Sequence, residues 1–219
     1  MTRTSLFGAV TINDDFTDRK TDILSLCARP DVDLVLAQET KHTDLRAELD
    51  DRRVHGWAVR QSIANQAIAG TAIAARRDRF KITKTGRRLA VEPRGAIMLP
   101  RYLTWSRVTL DDITPGWVAT THRPPGRYAW LWPAYDAAVA ARIRAVPRDR
   151  WVIVGIDANH PNPQRLARMA GCRWVAPKDS IDGFLIRGPI EVASIRRLPQ
   201  RNSDHHPVLL RARITATRK

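Results

Sequence analysis

Val152-Ile153-Val154-Gly155-Ile156-Asp157-Ala158-Asn159 is the stretch on which the fold turns. From Trp151 to Ile156 the chain has the length, the apolar character and the branched side chains of a buried β-strand. The run ends on Asp157 and Asn159, two residues apart, so an extended backbone points both side chains the same way. A stiff apolar strand that delivers polar groups at its end is how rigid scaffolds present chemistry.

The same design recurs along the chain. Short apolar runs appear at Leu6–Ile12, Asp33–Gln38, Thr71–Ala75, Ile97–Leu99, Trp105–Leu110, Trp117–Thr121, Ile181–Ile186 and Pro207–Ile214. Helical spacing appears in three places. Thr17 to Ala28 carries Ile23, Leu24 and Cys27 on one face and is closed by Pro30; Thr43 to Arg53 places Leu45 and Leu49 four apart. Pro133 to Val146 opens with a proline suited to a first helical turn and aligns Val139 with Ile143. Strands outnumber helices and several are joined by short turns. That predicts an α/β layered sandwich, with mixed or antiparallel sheet and helices packed outside, rather than a doubly wound parallel sheet. Ser62 to Gly70 and Glu92 to Gly95 read as loops, and with neither a repeat nor a linker the chain reads as one domain, 1–219.

Five strand ends carry groups with acid, base or metal chemistry. Asn13 and Asp15 follow the first strand, where Asn-Asp-Asp alone is an ordinary turn signal. Glu39 ends the run Asp-Leu-Val-Leu-Ala-Gln-Glu, and Thr121-His122-Arg123-Pro124-Pro125 follows a middle strand. Asp157 and Asn159 form the fourth place. Ser203-Asp204-His205-His206-Pro207, before a last strand, sets a carboxylate beside an imidazole, a pairing suited to metal and phosphate together.

In order as well as content, these segments resemble the endonuclease/exonuclease/phosphatase superfamily. The resemblance runs through Asn13, Gln38-Glu39, Thr121-His122, Gly155-Ile156-Asp157-Ala158-Asn159, Ile181-Asp182 and Ser203-Asp204-His205-His206-Pro207, and so spans residues 13 to 207. It implies a four-layer αββα sandwich of two mixed, mostly antiparallel sheets with flanking helices. It also implies a divalent-metal-dependent phosphodiesterase. Ile12 stands where the family commonly has Trp, Ile156 is inserted between Gly155 and Asp157, and the chain is short enough to have trimmed substrate-reading loops.

Roles follow from the resemblance. Glu39 is the principal metal ligand, aided by Asn13, Asp15 or Asp204; the oxygen-rich set suits Mg²⁺ or Mn²⁺. Asp157 orients or deprotonates the attacking water and Asn159 holds that water or a phosphate oxygen. His205 contacts the scissile phosphate, Asp182 orients and charges His205, and His122 gives a second donor or the acid for the leaving group. His206 and His160 are assigned supporting positions, His42 and His55 the surface. The middle motif carries His rather than the Tyr of the AP endonuclease-like branch, and Tyr128 and Tyr135 come too late to replace it.

Charge narrows the substrate. Lys and Arg number 37 against 22 Asp and Glu, a formal +15 in 219 residues. A surplus of that size favours a polyanion, nucleic acid before an anionic membrane surface, although an Arg-favouring genome leaves the same mark. The leading expectation is a weakly sequence-selective DNA endonuclease. Arg76, Arg77 and Arg123 are the first candidates for backbone contact, with Arg79, Lys81, Arg87, Arg88 and Arg94 behind them. Trp130 and Trp132 suit either base stacking or the core of the following helix. The rival expectations are an enzyme of lipid headgroups, RNA or small phosphoesters, and an inactive DNA-binding protein on the same fold. Cys27 and Cys172 read as buried free thiols. With neither a leader nor a membrane-span pattern, the expected setting is cytoplasmic and monomeric, with carriage by a phage or mobile element in keeping with the composition.

Overall fold

A computed structural model describes residues 2–14, 21–40, 45–51, 54–62, 70–91, 100–112, 114–200 and 203–217. Asp15, His42, Arg94 and the expected strand Ile97–Leu99 lie outside them, as do 63–69 and 92–99, the greater part of both expected loops. The described residues form twelve strands in two six-stranded sheets. The first has the order β11-β12-β1-β2-β4-β3 and the second β5-β6-β7-β8-β10-β9.

In the first sheet, β1 (Thr2–Asn13) runs parallel to β2 (Leu34–Thr40) at the centre, flanked by β12 (Val208–Thr217) and β4 (Gly70–Arg76). In the second, β7 (Thr114–His122) runs parallel to β8 (Trp151–Asp157), flanked by β6 (Arg101–Leu110) and β10 (Asp182–Arg187). All other pairs are antiparallel. Each sheet thus has one parallel pair in its third and fourth places, and the carboxyl ends of such pairs are where ligands meet mixed sheets.

Three separate cores fix four layers. Between the sheets lie Phe7, Leu34, Leu36, Ile73, Val118, Trp151, Ile153 and Leu210. Outside the first sheet, Ile23, Leu24 and Leu26 of α1 (Thr21–Cys27) and Leu45 and Leu49 of α2 (Leu45–Asp51) cover Val10, Val35 and Ala74. Outside the second, Tyr135, Val139 and Ile143 of α3 (Trp132–Arg144) join Leu166 and Ala170 of α4 (Gln164–Ala170) over Val152, Val154 and Ile156. The expected αββα sandwich of two mixed sheets is what the chain adopts. Every residue of β8 is buried because both faces of this central strand are covered.

Two details hold the sheets in register behind the carboxyl ends. A Cβ on Gly155 would meet Leu36 Cβ at 2.6 Å and Thr11 Oγ1 at 2.8 Å, so the absence of a side chain lets β8 approach the opposite sheet. Beside it, the buried Gln38 amide donates to Thr120 Oγ1 at 2.7 Å and Thr11 Oγ1 at 3.1 Å, and Thr120 donates onward to the Ala37 carbonyl at 3.1 Å. The strut leaves no amide hydrogen unpaired in the inter-sheet core, which a buried glutamine requires.

Four described strands exceed the sequence expectation: β3 (Trp57–Ser62), β5 (Phe80–Val91), β9 (Arg173–Val175) and β11 (Ile190–Arg197). They are the four sheet edges. Cys27 is buried and Cys172 half-buried, both free thiols. Among the described residues no helix is long and apolar enough to cross a membrane.

Candidate active site

Strand register alone gathers most of the expected residues at one end of the sandwich. His122 and Asp157 are partners across the parallel pair β7–β8, and Asp182 is the partner of Asp157 across β8–β10. From the first sheet, Asn13 and Gln38 are partners at the ends of β1 and β2. Glu39 is the extra residue of a bulge, for Gln38 pairs with Thr71 and Thr40 with Gly70. Its φ of 52° lies in the left-handed region, as does Asn159 at 48°. Non-glycine residues held there cost free energy and concentrate where side chains are re-aimed for function.

Asp157 is the hub, with 1% of its surface exposed. Its Oδ2 accepts from Asn13 Nδ2 at 2.9 Å and lies 3.2 Å from His122 Nε2. Its Oδ1 accepts from the backbone N–H of Asn159 at 2.9 Å, closing the turn after β8. The insertion of Ile156 therefore leaves the Asp157–Asn159 pair intact: Ile156 faces the helices while Asp157 faces the opposite sheet.

His122 is nearly enclosed, and its Nδ1 lies 3.1 Å from both Arg101 Nη1 and Glu39 Oε1. An unprotonated Nδ1 accepts from the guanidinium, whereas a protonated Nδ1 donates to the carboxylate. Asn159 Nδ2 donates to the Arg123 carbonyl at 2.7 Å and stands 3.0 Å from His122 Nε2.

His205 completes the far side. Its Nδ1 lies 2.8 Å from Asp182 Oδ2, and its Nε2 faces Asp157 Oδ2 at 3.9 Å and Asp204 Oδ1 at 3.6 Å. Burial alone would lower the imidazole pKa. The hydrogen bond and charge of Asp182, with the charges of Asp157 and Asp204, outweigh it and raise the pKa to about 9. Burial pushes the Asp182 carboxyl up, against the pull of the His205 hydrogen bond. Ser203 ties this loop to β1, donating to the Asn13 carbonyl at 2.6 Å and accepting from the His205 N–H at 3.0 Å.

Oxygen donors dominate, as a hard divalent cation prefers. Asp157, Asp182 and His205 offer ligand atoms within 4.8 Å of one another, and Asp182 Oδ1 is buried with no hydrogen-bond partner among the described residues. A buried carboxylate oxygen in that state is unfavourable unless a cation or a donor reaches it, so the residues present fit a metal ion.

Other expected residues lie elsewhere. Asp204 is 70% exposed at the rim and, among the described residues, meets the cluster through His205. Arg76 hydrogen-bonds to the Asp33 carbonyl, six residues before Glu39 along β2, so Arg76 and Arg77 stand about 20 Å from the site at the other end of the sandwich. Arg123 requires a correction. It is 4% exposed, donates to the buried Asp136 at 2.6 Å and stacks on Trp132, so it cannot meet a nucleic-acid backbone. Trp130 is 61% exposed and belongs to no core, while Trp132 is half-buried, donating to the Pro124 carbonyl at 2.8 Å. His160 is exposed and edges the Trp132 ring; His206 Nδ1 faces the Leu198 carbonyl at 3.2 Å; His55 is on the surface.

Arg101 was not anticipated. It is 6% exposed, 3.6 Å from Glu39 and 3.1 Å from His122, and burial lowers its pKa. Its signal was available: Arg101, Leu103 and Trp105 alternate, which extends the expected strand back to a cationic end.

The chain matches the family described as Endonuclease/Exonuclease/phosphatase family over residues 7–205. A comparison with curated proteins finds no match. Among solved structures it is similar to an endonuclease/exonuclease/phosphatase family protein from Bacteroides thetaiotaomicron, at 14% identity and TM-score 0.77, covering 97% of this chain and 99% of that one. It is similar to D. rerio TDP2 complexed with a single-strand DNA product, at 16% identity and TM-score 0.68, covering 97% and 100%. It is also similar to ANGEL2, a 2′,3′-cyclic phosphatase, at 11% identity and TM-score 0.73, covering 98% and 99%. At these identities the likeness is one of fold.

Proposed function

The chain belongs to the endonuclease/exonuclease/phosphatase family, and from that premise we propose that it is a divalent-metal-dependent phosphodiesterase that hydrolyses the DNA backbone as a weakly sequence-selective endonuclease. The observation that carries the proposal is the row Asp182–His205–Asp157–His122–Glu39, five largely enclosed groups of alternating acid and base character, each within 4 Å of the next, at one end of the sandwich. Charge chooses among phosphoesters. A +15 surface gains affinity from every backbone phosphate whose counterions it displaces, and a small phosphoester offers it one.

Glu39, with Asn13, Asp204 and Asp15, is the ligand set that the sequence implies for Mg²⁺ or Mn²⁺, and Asp182 Oδ1 is a buried oxygen left open to a cation. The ion would neutralise the phosphate and stabilise the leaving oxygen. The protein supplies the rest. Asp157, held by hydrogen bonds from Asn13 and the Asn159 backbone with His122 Nε2 3.2 Å away, is oriented toward an attacking water. His205, kept charged by Asp182, donates from Nε2 to a phosphoryl oxygen as negative charge grows there. His122 and Arg101 add a proton donor and a fixed cation on the opposite side.

The test is supercoiled plasmid with Mg²⁺, Mn²⁺ or EDTA, using the protein beside Asp157→Ala and His205→Ala. Nicking that requires metal and disappears in both variants is the expected result. A folded protein that cuts no plasmid under any metal would overturn the DNA reading and direct attention to RNA, lipid headgroups and small phosphoesters.

A further inference from the structure

The outer face of β5 is a basic patch that the site leaves unexplained. Across the β5–β6 register, Lys84 pairs with Arg107, Gly86 with Trp105 and Arg88 with Leu103. Trp105 and Leu103 belong to the core under α3, so Lys84, Arg88 and Arg107 all stand on the helix side of the second sheet. Arg142 of α3 completes the group, its guanidinium 4.4 Å from the centre of the Trp105 ring. Gly86 permits this, since a Cβ there would meet the Trp105 ring at 2.5 Å.

Four cations therefore surround one tryptophan, and Lys84 sits directly opposite Arg107, a like-charge cross-strand pair that disfavours the sheet. Among the described residues none of the four has a carboxylate partner. Arg107 and Arg88 lie close enough to Arg142 to add to burial in lowering its pKa. Charges on an edge strand also deter sheet-to-sheet aggregation, but mixed signs do that equally well, and Arg142 lies off the edge. A single-sign cluster retained against its own repulsion fits a polyanionic partner.

Its position suggests which one. Arg88 pairs with Leu103 and Leu103 with Thr121, the residue before His122. Two strand spacings, about 10 Å, thus separate Arg88 from the catalytic end, and Lys84 lies about 13 Å further along β5. That second interval equals about four nucleotides of B-form rise. We propose that Lys84, Arg88, Arg107 and Arg142 form a track that holds the phosphate backbone of the DNA flanking the cleaved bond. The proposal rests on the DNA reading above and assigns to this edge the role first expected of Arg76, Arg77 and Arg123.

The test uses a fluorescein-labelled 20-base-pair duplex in EDTA, titrated by anisotropy from 50 to 200 mM salt, with parallel turnover of bis(p-nitrophenyl) phosphate in Mg²⁺ or Mn²⁺. Arg88→Gln/Arg107→Gln should bind about 60-fold more weakly at 100 mM salt and lose about 2 from the slope of log K against log salt, near 0.9 per contact. Arg88→Lys/Arg107→Lys should keep the slope, and all forms should turn over the small diester equally. A protein that cleaves plasmid while the Gln variant keeps its affinity and slope would overturn the track and leave the nuclease standing. If the unmodified protein neither binds the duplex nor cuts plasmid, both proposals fall. Loss of polyglutamate binding in the Gln variant, with the DNA slope retained, would reassign the patch to an acidic protein and overturn the track.

Discussion

Replacing Asp136 by alanine should destabilise the protein more than any substitution of an exposed charge. Asp136 is wholly buried and its carboxylate holds Arg123 at 2.6 Å, with Trp132 against the guanidinium face at 4.1 Å. Removing the carboxylate strands a buried cation, which costs about 3–5 kcal/mol. The Trp132 contact survives and offsets about 0.5–2 kcal/mol of this, so the lower end applies. At about 2–4 °C per kcal/mol for a chain of this size, a loss of about 3 kcal/mol lowers the melting temperature by about 6–12 °C. The pair is not itself a large source of stability. Arg123 Nε and Asp136 Oδ1 have no partner among the described residues, and burial pushes the Asp136 carboxyl up against the pull of Arg123. Removing both charges, as Arg123→Met/Asp136→Leu, should therefore be neutral or stabilising, giving a large coupling energy in a double-mutant cycle. The contacts that serve the site are made by the Arg123 backbone, whose N–H bonds to Asp157 and whose carbonyl accepts from Asn159, so the double variant should keep its turnover. Urea and thermal unfolding of the parent, Asp136→Ala, Arg123→Met, Asp136→Leu and the double variant measure this. An Asp136→Ala protein within about 1 kcal/mol of the parent, or a double variant as unstable as the sum of its parts, would refute the reasoning. A double variant with weakened, less salt-sensitive DNA binding would restore Arg123 as a backbone contact.

Three further outcomes are expected. The folded-state pKa of His205 is raised from an ordinary 6.5 to about 9, so its stabilisation is fully present below pH 6.5 and is lost as pH rises through 9; the urea midpoint should fall across that window, and Asp182→Asn should flatten the fall. Gly155→Ala drives a methyl into Leu36 and Thr11 and should cost about 1–3 kcal/mol of unfolding free energy, with a smaller loss meaning that the sheets can part at little cost. Glu39→Gln should weaken Mg²⁺ or Mn²⁺ binding by more than the ~10–100-fold typical of residues that only support a ligand, as read by calorimetry, and unchanged affinity would remove Glu39 from the metal site.

The central strands were legible because burial on both faces leaves an apolar run that no other element of that length produces. Trp151–Ile156 and Asp33–Gln38 needed nothing further. The edges were not legible, for the same physical reason in reverse. β5 reads Phe-Lys-Ile-Thr-Lys-Thr-Gly-Arg-Arg-Leu-Ala-Val, and β11 reads Ile-Glu-Val-Ala-Ser-Ile-Arg-Arg with a bulge between Val192 and Ser194 breaking its alternation, so solvent on the open side replaces the apolar signal with polar and charged residues. Arg residues near loops then looked like DNA contacts, when the register turns some to the far end and buries one. Arg76 is the last residue of a strand antiparallel to β2, so the order of residues could not reveal that it points away from Glu39.

The site was legible by type and order, while its division of labour came from register. Linear spacing gave Asp157 and Asn159 a common side, but only the β7–β8–β10 alignment sets His122, Asp157 and Asp182 in one row, with His205 bound to the last. Arg101 shows what that row adds. A guanidinium so enclosed is costly without partners, and here Glu39 and His122 supply them. If a cation binds Glu39, the carboxylate that now faces Arg101 is shared, and the guanidinium is left to seek a second anion at the same sandwich end. A phosphodiester bound there would supply that anion, so metal and substrate should bind with positive coupling. Arg101→Met should abolish the coupling while leaving metal affinity intact or raised, because the guanidinium no longer competes for Glu39. Metal affinity that falls in Arg101→Met, or coupling that persists, would show that Arg101 only packs the end of β6.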